Sequence, residues 1–135
     1  MDVRLGSKMN ALQKTQSVVR MFKAAAGGAH GNTRGFHGSL TAFSLQKILS
    51  AVDPFGKLFV DIGFGTGVVL AAALAAGASK AHGYELPGNE ANRYIFQAAM
   101  KMWSKQHFYN IDLSRQAVLD FNDVEEVSIV KCLTY

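Results

Sequence analysis

The longest nearly unbroken apolar run that is too short for a buried helix is Lys57-Leu58-Phe59-Val60-Asp61-Ile62. Such a run predicts a strand inside a parallel sheet, covered on both faces, and it stops at Gly63. Residues 68–78 are apolar all round, which predicts a buried helix rather than a surface one, with Gly77 ending it. Residues 80–85 read as a second strand. Residues 89–105 read as a longer helix with Ile95, Phe96, Ala99, Met100 and Trp103 on one side. A third strand is expected at residues 107–111, a short helix or turn at 116–121, and a fourth, buried strand at 127–133. From residue 57 onward strand and helix alternate, which predicts βαβ units and a parallel sheet.

Upstream the pattern is looser. In residues 41–52, Phe43, Leu45, Ile48, Leu49 and Val52 fall near helical spacing, and Asp53-Pro54-Phe55-Gly56 closes the run with a turn. Residues 9–26 carry Leu12, Val18, Val19, Met21 and Phe22 among lysines, glutamines and alanines. That spacing predicts a helix without a strong face, one that docks late or on a partner. Residues 27–35 hold four glycines with Asn32 and Thr33, which is loop chemistry and the best candidate hinge between an N-terminal arm, 1–35, and a domain, 36–135.

The chain has 135 residues, 49% of them hydrophobic and 18% charged, enough for one folded unit and too few for two domains with a linker. This balance excludes a disordered, collagen-like or disulfide-framework chain. Cys132 is the single cysteine, and His30, His37, His82 and His107 are scattered, so neither an internal disulfide nor a structural zinc site is expected. Cys132 reads as an inert thiol in an apolar strand, and His37 and His107 as loop or edge residues. No run approaches the length of a membrane-spanning helix, and the first residues lack the order of a secretory signal; the reading is a soluble, intracellular protein.

The net charge of +4 is unevenly spread. Residues 1–38 hold Arg4, Lys8, Lys14, Arg20, Lys23 and Arg34 against Asp2, a balance of +5, while the remainder is −1. A basic arm of this kind suits nucleic acid, an acidic protein surface, an organelle import receptor or simple solvation.

The chemistry concentrates in Val60-Asp61-Ile62-Gly63-Phe64-Gly65-Thr66-Gly67-Val68, a strand that runs into glycines and then into a helix. Glycine supplies positive φ and lets a ligand approach the main chain, and a helix starting near Thr66 turns its free N–H groups to the same spot. A dinucleotide fingerprint is G-x-G-x-x-G; here Val68 stands where its last glycine would be, which disfavours a nucleotide-dependent oxidoreductase. Asp61, two residues before the first glycine, suits a cationic, hydrogen-bond-donating ligand better than a phosphate. Glu85, at the end of the second strand, is placed to accept both hydroxyls of a ribose. Asp112, after the expected third strand, is a candidate for an adenine amino group, although Asn110-Ile111-Asp112 is also turn chemistry.

An acid followed by G-x-G-x-G on strand one, an acid closing strand two and an acid closing strand three resemble the class I, Rossmann-like S-adenosylmethionine-dependent methyltransferases. The resemblance spans about residues 36–135. It implies a Rossmann-like parallel sheet flanked by helices, carrying an N-terminal helical arm, and S-adenosylmethionine as cofactor. The implied cofactor-binding residues are Asp61, Gly63, Gly65, Thr66, Gly67, Glu85 and Asp112. Phe36-His37-Gly38-Ser39-Leu40, Gln46-Lys47-Ile48-Leu49, Phe59-Val60-Asp61-Ile62-Gly63 and Gly83-Tyr84-Glu85 are similar to the non-SET histone lysine methyltransferases of the disruptor-of-telomeric-silencing type. That narrower likeness implies a histone lysine as acceptor, chromatin as partner and a nuclear location.

Two departures qualify the likeness. Ser39 stands where that family's upstream loop carries an acid. The family also has seven strands, whereas this chain reaches only a fourth, and Lys131-Cys132-Leu133-Thr134-Tyr135 matches none of the substrate-facing motifs expected there, so no catalytic residue is assigned. The sequence therefore also admits a truncated, non-catalytic module that binds the cofactor or a partner and is prone to dimerise through an open sheet edge. The arm's Lys, Arg and Ser content keeps a cytoplasmic or mitochondrial location open beside a nuclear one.

Overall fold

The computed structural model describes residues 10–30, 41–85, 92–103 and 111–121. They form five helices and three strands in the order α1 (Ala11–His30), α2 (Ala42–Val52), β1 (Leu58–Ile62), α3 (Val68–Ala75), β2 (Lys80–Tyr84), α4 (Asn92–Trp103), α5 (Leu113–Gln116) and β3 (Ala117–Asp120). The architecture is mixed α/β. The strands make a parallel three-stranded sheet in the order β1-β2-β3, with Phe59 beside Ala81 and Asp61 beside Gly83 in one pair, and Gly83 beside Leu119 in the other. Parallel neighbours need crossover connections, and α3 lies between β1 and β2, α4 and α5 between β2 and β3.

Period-two alternation divides the sheet into two faces. Phe59, Ala81, Ala117 and Leu119 turn to the core, and α3 lies against β1 and β2 on that side. Leu58, Val60, Ile62, Lys80, His82, Tyr84, Val118 and Asp120 alternate onto the other face, where Leu58 is exposed. On this face the His82 and Tyr84 rings stack with centroids 4.6 Å apart, and His82 Nε2 lies 2.5 Å from Asp120 Oδ2.

α3 is short because its last turn closes on a glycine. Gly77 takes φ +105°, its N–H reaches Leu74 O at 3.0 Å, and the Ala78 N–H reaches Ala73 O at 3.0 Å, the paired bonds of a left-handed helix stop. Alanines in the middle of α3 let neighbouring helices approach closely, and Leu70, Ala71, Ala72, Ala73 and Leu74 are buried. α2 starts where Thr41 Oγ1 accepts the Ser44 N–H at 3.1 Å, a side-chain cap worth about 1 kcal/mol.

α1 differs from its sequence pattern. It packs against α2, α3 and α4, and Val18 and Phe22 are fully buried, so the helix docks on its own domain rather than on a partner. Phe22 meets Phe96 of α4 with centroids 6.0 Å apart. The buried stripe is completed by Thr15, Ser17, Ala25 and Ala26, small side chains that give a weak helical pattern in the sequence. Arg20 and Lys23 point to solvent. α1 also runs through Gly27 to His30, the first part of the expected hinge, because a docked helix gains tertiary contacts that offset glycine's low helix propensity.

The second difference lies after α4. Residues 116–121, expected as helix or turn, hold β3, while Ile111 is not in a strand. Trp103 Nε1 donates to Ile111 O at 2.9 Å, which ties the segment before α5 to the end of α4. The short run Ala117-Val118-Leu119 suffices for a strand once β2 offers its backbone. Residues 107–110, the expected fourth strand at 127–133, Cys132, His37 and the 36–40 motif lie outside the described residues. Phe96 and Trp103 are buried and Met100 packs beside them, as core rather than as a substrate cage.

Candidate functional site

β1 delivers Asp61 and then turns through Gly63-Phe64-Gly65-Thr66-Gly67 into α3. The three glycines take φ of +75°, +60° and +94°, values that an L side chain rarely adopts. They serve different ends. Among the described residues, a Cβ at Gly63 or Gly65 would meet nothing within 4 Å, so none of them crowds the main chain at these positions. A Cβ at Gly67 would overlap the Phe96 ring, so this glycine lets α4 pack against the start of α3. Thr66 is buried.

The loop is pinned to the ends of two strands. The Gly63 N–H donates to Tyr84 O at 2.7 Å, the Gly65 N–H donates to Glu85 Oε1 at 2.7 Å, and the Gly67 N–H closes a turn on Phe64 O at 3.0 Å. The Glu85 N–H in turn donates to Asp120 O at 2.8 Å, which fixes the residue after β2 to the end of β3. A carboxylate that accepts an N–H at 2.7 Å makes a charge-assisted bond, which fixes the Glu85 side chain against the loop. Glu85 is 7% exposed.

Asp61 has the same parity as Gly83 and Glu85, so both carboxylates belong to one side of the sheet, beside the loop. Burial first, and the negative charge of Glu85 second, together raise the Asp61 carboxyl from its ordinary 3.8 to about 6. None of the described residues donates a hydrogen bond to Asp61. Two acids held together near a loop of backbone N–H groups make a site that favours a ligand bearing both positive charge and hydroxyl donors.

Asp112 lies elsewhere. It is exposed and precedes α5, where its carbonyl accepts the Arg115 and Gln116 N–H groups at 3.1 and 2.8 Å and its own N–H donates to Gln116 Oε1 at 2.8 Å. The acid that closes β3 is Asp120. It alternates onto the opposite face of the sheet from Asp61 and is paired with His82. The structure thus brings together Asp61, Gly63, Gly65 and Glu85, assigns Gly67 to packing, and leaves Asp112 at a helix start.

A separate cleft of about 230 Å³ lies among Lys14, Thr15, Gln46, Asp53 and Pro54, near the start of β1 and away from the glycine loop. No described helix is long and apolar enough to cross a membrane. No protein-family model, curated protein or solved structure matches the chain.

Proposed function

We propose that the chain is a Rossmann-like S-adenosylmethionine-dependent methyltransferase domain whose cofactor lies against the glycine loop. The observation that carries this reading is the pair Asp61 and Glu85 on one side of the sheet, at the ends of adjacent parallel strands, beside glycines whose α-carbons no described side chain crowds. The donor set fits that cofactor. Asp61 suits the ammonium of its amino-acid end, Glu85 at the end of the neighbouring strand suits the ribose hydroxyls, and Gly63 and Gly65 give the cofactor access to the main chain. The order β1-β2-β3, with helices between the strands, supports the Rossmann-like assignment.

When bound, the cofactor supplies an electrophilic methyl group on a sulfonium, already poised to leave. Little acid–base chemistry is then asked of the chain. Its residues hold the cofactor, exclude water and align the acceptor, and a site can do this without a conspicuous catalytic constellation. An amine acceptor must be neutral when it attacks, which favours a dry approach to the site. We take the acceptor to be a protein lysine, as in histones, on the strength of the 36–40, 46–49, 59–63 and 83–85 motifs.

The test is calorimetric titration with S-adenosylmethionine and S-adenosylhomocysteine, with NAD as control and Asp61→Ala as a second protein, followed by radiolabelled methyl transfer to histones and nucleosomes. Micromolar binding, lost in the variant and absent for NAD, is the expected result. Binding without transfer to any lysine substrate would leave a cofactor-holding module. No binding to a folded chain would overturn the proposal.

A further inference from the structure

Phe64 stands between the first two loop glycines, yet its ring is only 3% exposed. It occupies the space that Gly83 leaves open on β2. A Cβ added at Gly83 would stand 2.5 Å from Phe64 Cδ2 and 2.6 Å from Leu70 Cδ1, so the ring fits only because residue 83 has no side chain. Phe121, directly after β3, meets Phe64 edge to face, with centroids 5.4 Å apart and planes at 71°. Arg93, in the first turn of α4, lays its guanidinium 4.6 Å from the centre of the Phe121 ring.

Two segments distant in sequence, β2 at Gly83 and the residue after β3, therefore converge on one side chain of the loop, and α4 backs the second of them through Arg93. The backbone contacts run alongside, since Gly63 is held by Tyr84, Gly65 by Glu85, and Glu85 by Asp120, the residue before Phe121. A loop of positive-φ glycines loses much conformational freedom when it becomes ordered, and a ligand that must order it binds more weakly. An anchor that has ordered the loop beforehand removes that loss.

We propose that Phe64, Phe121 and Arg93 form a positioning stack that holds the glycine loop in its ligand-receiving conformation, with Phe121 and Arg93 acting on the ligand through Phe64. The proposal deepens the methyltransferase reading and rests on it for the identity of the ligand. The loop order it describes belongs to the ligand-free chain and is measurable there.

Amide hydrogen exchange of the full chain without ligand, resolved by NMR at Gly63, Gly65 and the core amide of Phe22, tests the stack, together with calorimetric titration of S-adenosylmethionine. In Phe121→Leu, exchange at Gly63 and Gly65 is expected to quicken by about three- to tenfold, and affinity to weaken in proportion, with Phe22 unchanged. Arg93→Gln, an exposed substitution that leaves the core intact, is expected to quicken the same two amides by about two- to fivefold, and Arg93→Lys to restore most of the loss. Equal acceleration at Phe22 would mean general destabilisation and would overturn the proposal, as would unchanged exchange at Gly63 and Gly65. If the wild-type chain binds no S-adenosylmethionine while the two glycine amides respond as described, the stack stands and the cofactor reading fails. If binding occurs and those amides do not respond, the stack alone fails.

Discussion

Replacing Asp61 by Asn should make the ligand-free protein more stable while removing ligand binding. The Asp61 carboxyl titrates at about 6 in the folded chain against an ordinary 3.8, because burial and the Glu85 charge oppose its ionisation. Its folded value is raised, so the native state holds the proton more tightly than the unfolded state between these two pH values. Stability contributed by this group is present below about pH 4, falls as pH rises to about 6, and is flat above. A shift of about two units corresponds to roughly 3 kcal/mol, and solvent contact at Asp61 lowers the expected gain to about 2 kcal/mol. Asn keeps the shape and carries no charge. At pH 7 the variant should be about 2 kcal/mol more stable, roughly 6 to 10 °C in Tm for a domain of this size, and near pH 4 the advantage should vanish. Urea unfolding at a series of pH values between 4 and 8 measures this. A variant less stable than wild type at pH 7, or an advantage that does not change with pH, would refute the reasoning.

Other expected outcomes follow from packing. Gly67→Ala places a Cβ against the Phe96 ring at φ +94°, and strain with overpacking should lower stability by about 2–4 kcal/mol in denaturant unfolding. Phe22→Ala removes a fully buried ring from the contact of α1 with α4 and should cost about 3–5 kcal/mol in denaturant unfolding, whereas an unchanged midpoint would contradict the docking of α1 on the domain. Asp120→Asn weakens the partly exposed pair with His82 and should cost at most about 1 kcal/mol, leaving S-adenosylmethionine affinity unchanged because Asp120 lies on the other face of the sheet.

The parts of the fold legible in the sequence are those where pattern and geometry coincide. The glycines after β1 and the all-apolar α3 each have one structural meaning, and Glu85 follows β2 as its spacing implied; the apolar run of β1 is a parallel strand as expected, but it is not covered on both faces, since Leu58 is exposed and none of its residues is fully buried. α1 was less legible because its buried stripe is built from Thr15, Ser17, Ala25 and Ala26, whose burial is decided by close approach to α2, α3 and α4 rather than by hydrophobicity. β3 was misplaced because a strand of four residues carries too few positions for a period to emerge, and its pairing with β2 decides it. Hence the acid that closes β3 is Asp120, while Asp112, which the pattern puts after a third strand, precedes α5. The anchor role of Phe64 had a signal in the sequence, an aromatic residue within a glycine loop, but its partners Gly83, Phe121 and Arg93 are brought to it only by the fold.

The central claim is that Asp61 and Glu85, with the loop glycines, hold a cationic ligand, and the pH dependence of binding tests it most directly. A cation prefers ionised Asp61, and in the free chain only about a tenth of Asp61 is ionised one unit below its pKa of about 6. Calorimetric affinity for S-adenosylmethionine should therefore be about tenfold weaker at pH 5 than at pH 7. In Asp61→Asn the pH dependence should disappear along with most of the affinity. Binding that is equally tight at both pH values, or retained in the variant, would contradict the account.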